Sequence, residues 1–223
     1  GNMNCIVPNI KFLKKIRALC NKHKSILIFD EVMTGFRVAQ GGAQEKYKIK
    51  PDMTALGKIV GGGMPVGVFG GKKKYMDQLS PDGPIYHAGT LSGNPVAMTA
   101  GIKTLELLSR KGFYSNLEKK TKKLMLGLSK SAEKNHIDFQ VTYAGGMFGF
   151  FFTDKKNISN FKDVCGCNKI LFEKFFKIML SKGIYFAPSS FEAGFISSKH
   201  STQDINYTIK SADEAFKEIS KEK

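Results

Sequence analysis

Between positions 11 and 24, apolar residues recur at helical spacing. Phe12, Leu13, Ile16, Leu19 and Cys20 share one face and lysines fill the gaps, which predicts an amphipathic helix. The next apolar run, Ile26 to Phe29, is continuous and too short for a helix. It predicts a fully buried strand. A helix followed by such a strand points to an α/β layer built on a mostly parallel sheet, with ligands beyond the carboxyl ends of the strands. Residues 51 to 72 are rich in glycine and read as loop, with a short strand at Val66 to Phe69. Asn94 and Pro95 have the chemistry of a helix cap and a first helical position, and Ala97, Ala100, Leu105 and Leu108 continue that helix.

After about residue 108 the pattern changes. Residues 116 to 135 predict a lysine-rich amphipathic helix, and Gly145-Gly146 a turn entering the hydrophobic run that begins at Met147. Ile170, Leu171, Phe175, Ile178 and Met179 predict a helix that stops at Gly183. Ser201 and Asp204 have capping-box spacing for a last helix with Ile205, Ile209, Ala212, Phe216 and Ile219 inward. The expected organisation is residues 1–108 in a larger domain and residues 109–223 in a smaller α+β domain.

The 223 residues are 42% hydrophobic, enough for a real core. The formal charge is +16, which raises the question of a nucleic-acid partner. The lysines are spread along helical faces and no RNA-binding or zinc-finger motif accompanies them, so a solvated surface and no nucleic-acid partner are expected. No stretch reaches membrane-spanning length, and no membrane partner is expected. The opening residues lack the features of a signal peptide. The chain starts on Gly, which suggests part of a longer product. Cys165-Gly166-Cys167 has the wrong spacing for a zinc knuckle or a redox pair, so the four cysteines are expected to be reduced structural thiols.

The candidate chemistry lies in three places: Asp30 at a strand end, Lys58 in a glycine-rich loop, and Thr90 just before a helix. A buried acid needs a partner charge or several hydrogen bonds. Pyridoxal phosphate would join these groups. It needs a lysine for a Schiff base, an acid against its pyridinium nitrogen, and hydroxyls or a helix N-terminus for its phosphate. Each feature also has a plainer reading: Lys58 as one lysine among many, Gly61-Gly62-Gly63 as a simple loop, Asp30 as a loop residue.

The runs LIFDEVMTGFRV, PDMTALGKIVGGGMPVGVFGG and HAGTLSGNPVAM resemble signature blocks of the class III aminotransferases, which have fold type I. Within that family the acid-bearing run is most similar to the glutamate-1-semialdehyde 2,1-aminomutase branch. The opening GNMNC, GGMFGFFFTD at 145 to 154, and the stretch from 185 to 205 share that resemblance. It implies Lys58 as the Schiff-base lysine and proton shuttle, and Asp30 as the partner of the pyridine nitrogen. It further implies Val32 against one ring face and Asn2 near the phenolic oxygen. Thr90 would reach the phosphate in the neighbouring subunit of a homodimer, and Glu192 would lie near the substrate. The implied reaction is the conversion of glutamate-1-semialdehyde to 5-aminolevulinate by internal amine exchange through the pyridoxamine form, feeding tetrapyrrole synthesis in the cytoplasm or a plastid. The alternative is a class III aminotransferase with an external amino donor. The chain corresponds to the carboxy-terminal half of the family pattern and is expected to be inactive alone. His87 stands where the family commonly has glutamine.

Overall fold

The computed structural model describes residues 2–221. They form two compact units, one of residues 9–113, the other of the residues before Asn9 together with those after Phe113. The sequence reading placed the first eight residues with the larger domain. Instead residues 2–8 belong to the second unit, held there by hydrogen bonds of Asn4 that no local pattern announces.

In the first unit, α1 (Ile10–Lys22) is capped by Asn9, whose side chain accepts from the Lys11 amide. Strand β1 spans Ile28–Asp30, and α2 spans Gly42–Tyr47. Strand β2 (Met53–Leu56) lies inside the region expected to be loop; four residues ending at a glycine are too few to show an alternation. Strand β3 covers Val68–Gly71, α3 Lys73–Met76 and α4 Pro95–Leu108. The sheet order is β1-β2-β3, with β1 parallel and β3 antiparallel to β2. The expected full burial of the first strand is not found: Ile26 and Ile28 are 46% and 57% exposed. The reason is that β1 is an edge strand, and α1 buries none of its residues completely.

What ties this unit together is polar. Asp52, just before β2, is buried. Its carboxylate accepts from Arg17 Nη1 at 2.8 Å, the Leu27 amide at 2.8 Å and Lys72 Nζ at 2.5 Å. One acid thus links α1, the approach to β1 and the residue following β3. These three donors hold its carboxyl far below the usual carboxylate range, Lys72 contributing most.

The second unit contains α5 (Phe113–Lys134), β4 (Phe139–Ala144), β5 (Met147–Phe152), α6 (Phe161–Cys165), α7 (Lys169–Ser181), β6 (Gly194–Phe195) and α8 (Thr202–Ser220). Its sheet is antiparallel, in the order β4-β5-β6. Every residue of β5 is buried. Phe175 of α7 and Phe216 of α8 stack with ring centroids 4.8 Å apart, and Phe150 and Phe152 each meet Phe175 at 5.6 Å. The helix stop at Gly183 forms as expected: the Gly183 amide bonds Leu180 and the Ile184 amide bonds Met179, with Gly183 at φ 76°. The capping box of Ser201 and Asp204 is complete. No helix among the described residues is long and apolar enough to cross a membrane.

Candidate active site

Asp30 is the last residue of β1, and its Cα partner on β2 is Ala55. Parallel pairing therefore delivers Asp30 and, three residues past Ala55, Lys58 to the same carboxyl end of the sheet. The Val32 amide donates to Asp30 Oδ1 at 3.0 Å, a short turn that fixes the carboxylate. Its other oxygen has no protein partner among the described residues. Lys58 opens a 3-10 turn, Lys58–Gly61, and its backbone is left-handed at φ 50°. For a non-glycine residue that costs about 1–2 kcal/mol, which suits a position where side-chain direction matters. The Lys58 amine is exposed and has no bonded partner among the described residues.

Val32 closes the third side. A Cβ placed on Gly57 would lie 3.2 Å from Val32 Cγ1, so Val32 packs directly beside the Lys58 backbone. Asp30, Val32 and Lys58 thus lie in one unit at the same end of the sheet: a carboxylate, an apolar side chain and an exposed amine.

Helix α4 is locked to the lysine turn by two glycines. A Cβ on Gly101 would collide with the Val60 carbonyl, and one on Gly62 with the Ala100 carbonyl. The helix begins at Asn94, whose side chain accepts from the Ala97 amide at 2.9 Å. Thr90 is exposed on the loop before that cap. A cleft of about 520 Å³ lies between β3 and this loop, lined by Val68, Phe69, His87, Ser92, Asn94 and Met98 among others. His87 stacks on Phe69 with ring centroids 5.0 Å apart, which gives it a packing role. Asn2 and Glu192 belong to the other unit. Both are exposed, and Glu192 stands at a cavity of about 380 Å³ with Tyr185, Phe186 and His200.

The acid that the buried-strand reading should have singled out is Glu31. It is 1% exposed. No cation meets it. Its carboxylate instead accepts from the Ala43 amide at 2.8 Å, the Gln44 amide at 2.9 Å and the Thr34 hydroxyl at 2.6 Å. The Asp-Glu pair therefore divides its tasks. Glu31 is satisfied by neutral donors and pins the start of α2, whereas Asp30 is left open.

A chain in which two parallel strands bring an acid and a lysine-bearing turn to one end of the sheet, beside a capped helix, has the architecture of a pyridoxal-phosphate fold. The family model for class-III aminotransferases matches residues 1–208, and the chain belongs to that family. Solved structures agree on the fold. A β-phenylalanine aminotransferase from Variovorax paradoxus superposes with a TM-score of 0.86 at 27% identity, covering 95% of this chain and 49% of that one. An omega-transaminase from Sphaerobacter thermophilus gives 0.84 at 26%, covering 96% and 48%. A glutamate-1-semialdehyde-aminomutase from Pseudomonas aeruginosa gives 0.83 at 21%, covering 96% and 49%, and shares the fold. The chain spans about half the length of the solved structures it matches.

Proposed function

We propose that this chain carries the lysine-bearing part of a pyridoxal-phosphate enzyme that moves an amine, and that its reaction is the aminomutase conversion of glutamate-1-semialdehyde to 5-aminolevulinate. The observation that supports the cofactor is the placement of Asp30, Val32 and Lys58 at one sheet end, with the Lys58 amine and one Asp30 oxygen unpartnered among the described residues. These residues fit the group. Bound there, pyridoxal phosphate supplies an electron sink for the charge left when a proton leaves the substrate carbon. Asp30 would keep a proton on the ring nitrogen. Val32 would hold one ring face. Lys58 Nζ would attach the cofactor and, once released from it, carry a proton to and from the substrate carbon. Thr90 and the capped start of α4 would meet a phosphate, in this reading that of the neighbouring subunit in a homodimer. Asn2 and Glu192 would serve the phenolic oxygen and the substrate.

The aminomutase reading rests on the form of the run after Asp30. A second reading, amine exchange with an external donor, is favoured by the two transaminase structures, whose identities of 26% and 27% exceed the aminomutase's 21%. The first test is to incubate the chain with pyridoxal phosphate, reduce with borohydride and map the modified lysines by mass spectrometry. A dominant adduct on Lys58, abolished in Lys58→Ala, is expected. Adducts scattered over surface lysines with none favoured at Lys58 would sink the cofactor site. For the reaction, 5-aminolevulinate formed without any added amino donor supports the aminomutase; turnover that requires a donor and a keto acid overturns it.

A further inference from the structure

Residues 2–8 form a short strap on the second unit, and one of them is built in with unusual care. Asn4 is 3% exposed, although asparagine is polar. Its backbone is left-handed at φ 65°, a conformation asparagine tolerates better than most side chains. Its amide N–H and both polar atoms of its side chain are used. Its amide N–H donates to the Phe191 carbonyl at 2.6 Å. Its side-chain nitrogen donates to the Ser190 carbonyl at 2.8 Å and to the Phe150 carbonyl at 3.4 Å. Its side-chain oxygen accepts from the Cys5 amide at 2.8 Å. Room for this side chain is made by Gly149 of β5, where a Cβ would collide with Asn4 Oδ1.

Of the three carbonyls that accept from Asn4, those of Ser190 and Phe191 are the central pair of one turn. The Glu192 amide closes that turn on the Ser189 carbonyl at 3.1 Å. Glu192 itself is exposed at the rim of the 380 Å³ cavity beside Tyr185, Phe186 and His200. No hydrogen bond or ion pair from that cavity's lining to the Glu192 carboxylate is found among the described residues. What holds its backbone is the grip on the turn.

We infer that Asn4 is a positioning residue: by clamping the turn of residues 189–192 to the strap, it fixes where the Glu192 carboxylate stands for substrate. The part of this inference that concerns substrate rests on the reading given under Proposed function; the clamp does not. Two variants separate the contributions. Asn4→Gly keeps the left-handed backbone and deletes the side chain. Asn4→Asp keeps size and the acceptor to Cys5 and loses the two side-chain donations.

Hydrogen exchange on the 223-residue chain is the first readout. Both variants should speed exchange at the amides of residues 190–193 by about tenfold or more, through local opening, with the amides of Leu124 to Leu128 in α5 unchanged. Unchanged exchange at 190–193 overturns the clamp. A uniform rise that includes α5 shows only a structural role and overturns it equally. The second readout is kinetic, on the loaded enzyme. KM for glutamate-1-semialdehyde should rise about tenfold with kcat within about twofold, the sign of lost substrate binding rather than lost chemistry. Faster exchange at 190–193 with an unaltered KM overturns the role toward substrate. Failure of the functional reading looks different, since it removes the Lys58 adduct from the unsubstituted chain while the exchange result still decides the clamp.

Discussion

Single residues in this chain work mainly by what they leave unpaired or fully paired. Asp30 and Glu31 are neighbours with opposite fates. A strand side chain alternates between faces, so two adjacent acids at a strand end must point differently. Glu31 turns inward and is met by the Ala43 and Gln44 amides; Asp30 stays open. Asp52 is the residue whose loss should be felt most in the first unit. Asp52→Asn removes the charge that Arg17 and Lys72 face. Breaking a buried pair costs about 3–5 kcal/mol, but the Lys72 side chain is 44% exposed, so about 2 kcal/mol is expected after screening. The pH dependence follows from the direction of the shift. The folded carboxyl is held below its unfolded value, so its stabilisation is complete above an unfolded value of about 3.9 and is lost as pH falls toward the depressed folded value. Exchange at the α1 amides should therefore separate wild type from D52N fully at pH 7, and the gap should shrink below about pH 4. A gap that stays constant on acidification would refute the charge-based account.

At the scale of elements, glycine decides how the active-site turn is held. Gly101 sits where α4 passes over the Val60 carbonyl. No side chain fits there, and the obstacle is backbone, which cannot swing aside. Gly101→Ala should push α4 off the lysine turn at a cost of about 2 kcal/mol, in the range of overpacking substitutions. Urea unfolding followed by a probe on α4 would measure it, and the yield of the Lys58 adduct should fall alongside. A variant as stable as the parent would show that the turn and helix are not in fact locked together. The capping signals were legible in sequence because they are local: Asn94 before Pro95, Ser201 with Asp204, Gly183 after α7. Strand β2 was not, because its four residues carry neither alternation nor an apolar run.

For the whole molecule, the two units differ in how much apolar surface they bury. Among the described residues, the buried hydrophobic side chains of the first unit are Val38, Ile49 and Ala97. The second unit holds Phe150, Phe152, Phe175, Phe216, Met125, Leu128 and many others. Hydrophobic burial is the dominant favourable term in folding, and the first unit's sheet has no fully buried residue in any of its strands. In hydrogen exchange of the chain by itself, amides of β5, α7 and α8 should be protected by orders of magnitude more than those of β1 to β3. Equal protection in both units would contradict this distribution of the core. The charge of +16 belongs to this scale as well. Among the described residues, ion pairs such as Lys73 with Asp77 and Lys103 with Glu106 join exposed lysines to acids, whereas those of Asp52 meet a buried carboxylate.

The sequence alone determined the family and the helices with their caps, because these depend on residue type and on spacing within one turn or one strand. Tertiary structure decided the rest. That Asp30, Val32 and Lys58 lie at one end of the sheet is a consequence of β1 pairing in parallel with β2 in a particular register, a contact between segments about 25 residues apart. That Glu31 needs no cation depends on α2 offering its amides. That Asn4 leaves the first unit and grips the turn at Ser190 depends on a contact across 186 positions. Burial, pairing and closure of this kind are properties of what lies opposite a residue, and no local pattern carries that information.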